Sequence, residues 1–381
     1  MKSNIFDVIV VSKFQISAPH LGVSKAYSQL IESLTKLNLR VCIITEGKFF
    51  SVIELNPHLS IKVIPPSKRR IASMINLRLP HPGAAWLSEA KKHLGSGSFV
   101  VAPIVGMQTV IFKGEKRNFQ RYFATLHTPY SMRSPLGILF FYIQKRSLKF
   151  ADLVVANSQT ILKKLKLDES QAVVIPHPYI SEVLPFKKDL NTLSTPIWIG
   201  SLTYRKGVDR LTLLMLLTRG RAKIRVVWSK SRFDFLWIPA LKFFEYLGWC
   251  QLEHELSEIE LRKRISEAYC LVSTSRFESF GLTLIEAARE NTGVIGVSAP
   301  GIVETLPENS GGALYFSNIL KLASILKVTL NLEKYNLLGV NASKYVEEKY
   351  SPLRIMEIWK EIIEFRKSEK KSGLGRDQTG A

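Results

Sequence analysis

Apolar residues in this chain gather in short continuous runs, separated by stretches in which they recur at helical spacing. The first run is DVIVVS, residues 7–12. A β-rich run that is apolar on both faces suits a strand buried in a parallel sheet. The following loop, 13–25, has Pro19 and Gly22 as turn punctuation. Residues 24–38 then put Ala26, Leu30, Leu34 and Leu37 on one stripe, the signature of an amphipathic helix. Further runs at 40–45, 60–65, 98–105, 121–128 and 151–158 continue the alternation. Strands regularly separated by helices predict a doubly wound α/β sheet.

Residues 181–196, SEVLPFKKDLNTLSTP, are polar and contain proline, and are expected to be a linker. The pattern then restarts, with strands at 197–201, 223–229, 244–249, 269–275 and 293–299. Helices are expected at 207–220, at 254–268 and from the glycine at 281 onward. The predicted organisation is a first α/β domain over 1–180 and a second over 197–351, with a cleft between them. An amphipathic helix at 352–367 returns to the first domain, and 368–381 is a frayed tail.

Length supports two domains, at 381 residues. The three cysteines, Cys42, Cys250 and Cys270, sit in apolar contexts without a CxxC pair. They read as reduced core residues, not as disulfides or metal ligands. The apolar run 135–143 has nine residues, about half of a membrane span. Asp7 interrupts the N-terminal run, which therefore reads as a strand and not a leader. The expected location is cytoplasmic, with the inner face of the membrane as a peripheral site. Charge is unusual: the net is +21, and residues 1–178 hold 24 Lys/Arg against 9 Asp/Glu. Such a half could meet nucleic acid, an anionic membrane or a phosphorylated substrate, or could serve solubility alone.

Four stretches fall where strands end and ligands of open α/β sheets gather. In SRFESFGLTLIEAARE, 275–290, Glu278 and Glu286 flank Phe280, Gly281 and Leu282. Helix-start N–H groups there suit anionic or sugar oxygens, and a carboxylate suits vicinal ribose hydroxyls. A solvated loop glutamate and a surface-helix glutamate are the plainer reading. In IGSLTYRKGVDRL, 199–211, Arg205 and Lys206 precede a helix start, a phosphate site by charge or else an ordinary exposed turn. His127 follows a buried strand, as a catalytic group or as a structural hydrogen-bonder. Gly22, in the first loop, carries little by itself.

The order and spacing of these four stretches resemble the retaining glycosyltransferases of the GT-B fold, in particular glycosyltransferase family four. The resemblance covers about residues 5–365 and is most specific at the E-x7-E pattern of Glu278 and Glu286. It implies two Rossmann-like domains with an inter-domain cleft. It also implies a nucleotide-sugar donor, UDP- or GDP-linked, and neither cofactor nor metal. By resemblance, Glu278 contacts the donor sugar, Phe280, Gly281 and Leu282 give backbone contacts, and Glu286 binds the ribose. Lys206 neutralises the diphosphate, Gly22 lets it approach, and His127 lies near the reacting centre. Two positions depart from the family. Ser201 stands where an arginine is usual, with Arg205 the expected replacement, and residues 175–178 read IPHP in place of an IPNG-like stretch. A GT-B-like protein that binds nucleotide or polyanion without turnover is the alternative that Ser201 favours.

The acceptor side is expected to be basic and greasy. Residues 65–86 combine Lys68, Arg69 and Arg70 with Ile71, Met74, Ile75 and Leu79, and 133–150 repeat the mixture. That composition suits an interfacial helix, and so a glycan or lipid-linked acceptor and contact with an anionic membrane. It equally suits helices packed on a sheet with solvated lysines. Nucleic acid is not expected, since no zinc finger, aromatic RNA-binding motif or Arg-rich tail is present.

Overall fold

The computed structural model describes residues 7–12, 30–32, 34–46, 51–64, 98–103, 119–126, 135–148, 151–167, 170–178, 184–188, 195–229, 234–327 and 332–371. The chain divides into two compact units, residues 1–178 with 352–381, and residues 179–351.

In the first unit eight strands form one sheet. They are β1 (Val8–Ser12), β2 (Val41–Glu46), β3 (Ser51–Asn56), β4 (Leu59–Ile64), β5 (Ser98–Pro103), β6 (Phe119–Leu126), β7 (Leu153–Ala156) and β8 (Ala172–Val174). Their order is β3-β4-β2-β1-β5-β6-β7-β8. β1 is central and parallel to both neighbours, with Val8 opposite Val41 and Phe99. β3 departs from the predicted pattern, because it is an additional strand and runs antiparallel to β4. The Asn56 side chain accepts the His58 N–H at 2.9 Å, an Asx turn that reverses the chain. Ile53 and Leu55 are exposed there, so this edge strand lacks the buried apolar run that betrays a central one.

Residues 30–32 and 34–36 are helical, with Leu30, Ile31 and Leu34 buried. The apolar run at 135–143 belongs to helix α1 (Pro135–Leu148). It buries Phe141, Gln144 and Leu148 but exposes Ile138, Leu139 and Tyr142. After β7 comes α2 (Gln159–Leu165). The IPHP stretch gains a structural role here: buried His177 places Nε2 3.2 Å from the side-chain nitrogen of buried Asn157. A polar pair of that kind secures the end of the segment beside the core residue Ile175.

The second unit alternates strand and helix up to β14 and closes with two helices. Its elements are β9 (Thr195–Ser201), α3 (Val208–Thr218), β10 (Ile224–Ser229), α4 (Asp234–Tyr246), β11 (Cys250–His254), α5 (Glu258–Ser266) and β12 (Ala268–Ser273). Then come α6 (Leu282–Arg289), β13 (Val294–Val297), α7 (Ile302–Thr305), β14 (Ala313–Phe316), α8 (Ile319–Lys327) and α9 (Leu332–Tyr350). The strand order is β11-β10-β9-β12-β13-β14, and the strand pairs are parallel. Connections from β9 run toward β11 and those from β12 toward β14, so the order reverses between β9 and β12. That reversal opens a crevice at the carboxyl ends of these two strands.

Several boundaries differ from the predicted ones: β9 starts at Thr195, inside the expected linker, and β12 ends at Ser273, and the larger differences lie around α4 and α5. Residues 244–246 end α4, and the strand expected at 244–249 lies instead at Cys250–His254. Leu241 and Phe244 are buried one turn apart, a helical register that the short apolar run alone does not distinguish from a strand. α5 starts at Glu258 rather than 254, because Ser257 and Glu260 close a capping box there.

The last helix, α10 (Pro352–Lys371), runs past the predicted end at 367. Its Ile355, Trp359 and Ile363 join Val8, Val10, Leu34 and Val41 in the core of the first unit. Among the described residues no helix is long and apolar enough to cross a membrane.

Residues 184–188, part of the expected linker, are held on the second unit. Buried Glu290 accepts the Phe186 N–H at 3.0 Å and Arg262 Nε at 2.6 Å. Arg262 also donates to the Leu184 carbonyl at 2.8 Å and stacks over the Phe186 ring. Lys188 Nζ donates to Asn291 O at 2.8 Å and Thr292 Oγ1 at 2.9 Å. Burial lowers its pKa to about 8, against the opposing pull of Cys270 and Glu290.

Candidate active site

The crevice between β9 and β12 is lined by the loops that follow those strands. After β9, Lys206 and Gly207 turn the chain into α3. Gly207 has φ +71°, and a Cβ there would lie 2.0 Å from the Thr274 carbonyl oxygen. Only glycine combines that backbone with that approach. Thr274, just past β12, ties the turn down: its hydroxyl lies 3.0 Å from both the Lys206 and the Gly207 carbonyls and accepts Trp198 Nε1–H at 2.9 Å.

Arg276 makes a second staple. It pairs with both oxygens of Asp209 at 2.6 and 2.5 Å, donates to Tyr204 O at 3.0 Å, and lies 3.7 Å from the Tyr204 ring centre. Its N–H donates to Arg205 O at 2.9 Å. A bidentate guanidinium–carboxylate pair is geometrically specific, so the loop bearing Arg205 and Lys206 is preset by the loop bearing Glu278.

Glu278 is the meeting point. Its Oε1 lies 2.6 Å from Lys206 Nζ and accepts the Ser275 hydroxyl at 2.9 Å, and its Oε2 lies 2.9 Å from Arg205. Burial alone would raise its pKa, but Lys206 and Arg205, with the Ser275 hydroxyl, hold the carboxyl below the usual range. The stem of Lys206 occupies the space a Cβ on Gly200 would fill, 3.2 Å from its Cδ. A third loop supports the carboxylate from behind. The Glu278 N–H donates to Pro300 O at 3.1 Å, and a Cβ on Gly301, φ +83°, would lie 1.8 Å from the Glu278 carbonyl oxygen.

Charge in this corner is net positive, since Arg205, Lys206, Arg210 and Arg276 stand against Glu278 and Asp209. Arg205 is 45% exposed, whereas Lys206 is 13% exposed. The outer cation is therefore open to an anion while the inner one is held rigidly. Next to them Gly281, φ +78°, caps α6; Leu284 N–H donates back to Gly281 O at 2.9 Å, and the N–H groups ahead of it at a helix start have no intrahelical acceptor.

The structure thus brings Glu278, Arg205 and Lys206 into direct contact, with Gly281 and Leu282 on the adjoining helix start. Phe280 turns its ring into the core against Tyr350, and its carbonyl accepts the Thr305 hydroxyl. Glu286 lies half-buried on α6, one turn beyond Leu282. Ser201 ends β9 with its hydroxyl 3.4 Å from that of Thr203. Gly22 and His127 lie outside the described residues. Sequence reading did not single out Thr274, Arg276, Asp209 or Gly301, whose partners lie about 20 to 70 residues away, nor Ser275, whose partner Glu278 lies three residues on. The adjacency of Ser275 and Arg276 to Glu278 was the one available signal. Among the described residues no group of His, Cys, Asp or Glu is arranged to hold a metal ion.

No protein-family model matches the chain, and no curated protein matches it. Solved structures do. Sucrose-phosphate synthase from Thermosynechococcus elongatus is 16% identical and superposes with a TM-score of 0.69, over 94% of this chain and 98% of that one. TarM is 12% identical with a TM-score of 0.72, over 95% and 100%. Anabaena HepE in complex with UDP and glucose is 16% identical with a TM-score of 0.64, over 94% and 100%. The architecture is the GT-B fold, with two Rossmann-like domains.

Proposed function

We propose that this protein is a glycosyltransferase that takes its sugar from a nucleotide-sugar donor, UDP- or GDP-linked. The observation that carries the reading is the preset Arg205–Lys206 turn, held against Glu278 beside the start of α6. Fixed cations at a helix start are suited to the charge that develops on a departing diphosphate. The fold is shared with HepE, which was solved with UDP and glucose. Lys206 and Arg205 neutralise the leaving diphosphate, Gly281 and Leu282 offer N–H groups, and Glu286 accepts the ribose hydroxyls. Glu278 orients the two cations and meets the donor sugar. His127 and Gly22 enter by resemblance alone.

The reaction is proposed to retain configuration and to need no metal. The acceptor attacks the anomeric carbon from the face that the diphosphate leaves, and the departing phosphate takes the acceptor proton. A glycan or lipid-linked acceptor fits the first unit, where α1 exposes Ile138, Leu139 and Tyr142 ahead of Lys145 and Arg146. The basic stretch 65–86 lies outside the described residues. A nucleotide- or polyanion-binding protein without turnover is the second reading, favoured by Ser201, whose hydroxyl turns to Thr203 and supplies no charge.

The test is thermal stabilisation by UDP, GDP, ADP and dTDP in the presence of a chelator. One nucleotide, at a hundred times its dissociation constant, is expected to add about 2.7 kcal/mol. Lys206→Ala and Glu286→Ala should each lose that shift. Absence of any shift at millimolar nucleotide, or an unchanged shift in Lys206→Ala, would refute the donor site. Nucleotide binding without sugar transfer would leave the second reading standing.

A further inference from the structure

Helix α4 is apolar on both sides. Leu241 and Phe244 are buried beneath it, yet Phe235, Leu236, Phe243, Tyr246 and Leu247 are exposed, Tyr246 at 87% and Phe235 at 72%. At 3.6 residues per turn these five share about 120° of arc, so they form one stripe and not scattered exceptions. The neighbouring helix α3 exposes Leu213 and Leu216 as well. Soluble surfaces rarely leave such a stripe without a partner.

The charges around the stripe indicate what covers it. Arg219, Arg221 and Lys223, in the turn after α3, are exposed. That turn abuts the end of α4, because a Cβ on Gly220 would lie 2.5 Å from the Trp249 ring. Lys242 is exposed at the stripe's border. Glu245, the acid in this helix turn, is engaged by the Leu252 N–H at 2.8 Å. A second copy of the chain is a poor occupant, since net charges of +21 repel each other.

We propose that this face of the second unit rests on the surface of an anionic lipid bilayer. α4 lies in the plane of the interface, with Phe235, Phe243 and Tyr246 at headgroup depth and the 219–223 turn on lipid phosphates. An apolar stripe flanked by cations is the pairing that interfacial helices use. The surface uses none of the residues around Glu278, and the proposal does not depend on the chemistry there.

Co-sedimentation of the full-length protein with vesicles tests it. Phosphatidylcholine vesicles containing about one-third phosphatidylglycerol should bind the protein about tenfold or more tightly than phosphatidylcholine alone, and less so at high salt. Phe243→Ser with Tyr246→Ser, and separately Arg221→Glu with Lys242→Glu, should each weaken binding about tenfold. Circular dichroism and melting temperature should remain those of the parent, since all four side chains are exposed. Equal binding to both vesicles, or variants that bind like the parent, would overturn the proposal. So would a dimer in light scattering that the Phe243→Ser, Tyr246→Ser pair splits, because the stripe would then be covered by a second copy.

Discussion

Glu278 shows how one carboxylate can organise two cations from a loop some 70 residues earlier. Taking away its charge strands Lys206, which is mostly buried, and breaking a buried pair from one side costs about 3 kcal/mol or more. Glu278→Gln is therefore expected to lower stability at neutral pH while keeping the nucleotide-induced shift, because both cations remain. Lys206→Ala loses that shift. The carboxyl is held below its ordinary pKa in the folded protein, so its contribution is present above the unfolded value of about 4.3 and fades as pH falls through the folded one. Acid titration of stability, parent against Glu278→Gln, checks the sign. If the two curves keep a constant separation down to the folded pKa and below, the pairing is not what stabilises the loop.

At the scale of elements, the segment 184–188 behaves as part of the second unit. Lys188 is buried and its pKa is lowered to about 8. Between pH 8 and about 10.4, the unfolded chain carries a proton there that the folded chain lacks, so stability should rise with pH over that window. Lys188→Met should flatten the rise, measured as urea midpoints across the window. An identical slope in both proteins would place the proton elsewhere. Elements also show where sequence patterns are ambiguous. β1, β2 and β12 are apolar runs buried on both sides and announce themselves. β3 and the boundary between α4 and β11 do not, since a half-exposed edge and a helix apolar on both faces blur the period on which the reading depends.

At the scale of the whole molecule, the chain leaves the second unit at α9 and completes the first with α10. Trp359 is 4% exposed in the core containing Val8 and Val41. Trp359→Ala should cost about 3–5 kcal/mol, and the loss should be local. Hydrogen exchange is expected to quicken at 8–12 and 41–46 while β9 and β12 keep their protection. Equal loss in both units would show that they unfold together. The net charge acts at this scale too, because a chain at +21 is drawn to anionic partners wherever its apolar stripes are exposed.

The amino-acid sequence by itself determined the alternation of strands and helices, the two-domain α/β class, and the stretch in which two glutamates flank a glycine at a helix start. These are local signals: side-chain period, turn residues and glycines where the backbone must turn. Tertiary structure alone decided which cations face Glu278, that Arg276 and Asp209 preset them, and that α10 completes the first core. It also decided which apolar residues of α4 are buried and which face outward. Each of these depends on contacts between segments far apart in the chain, where burial and charge pairing are settled by neighbours that no local pattern names.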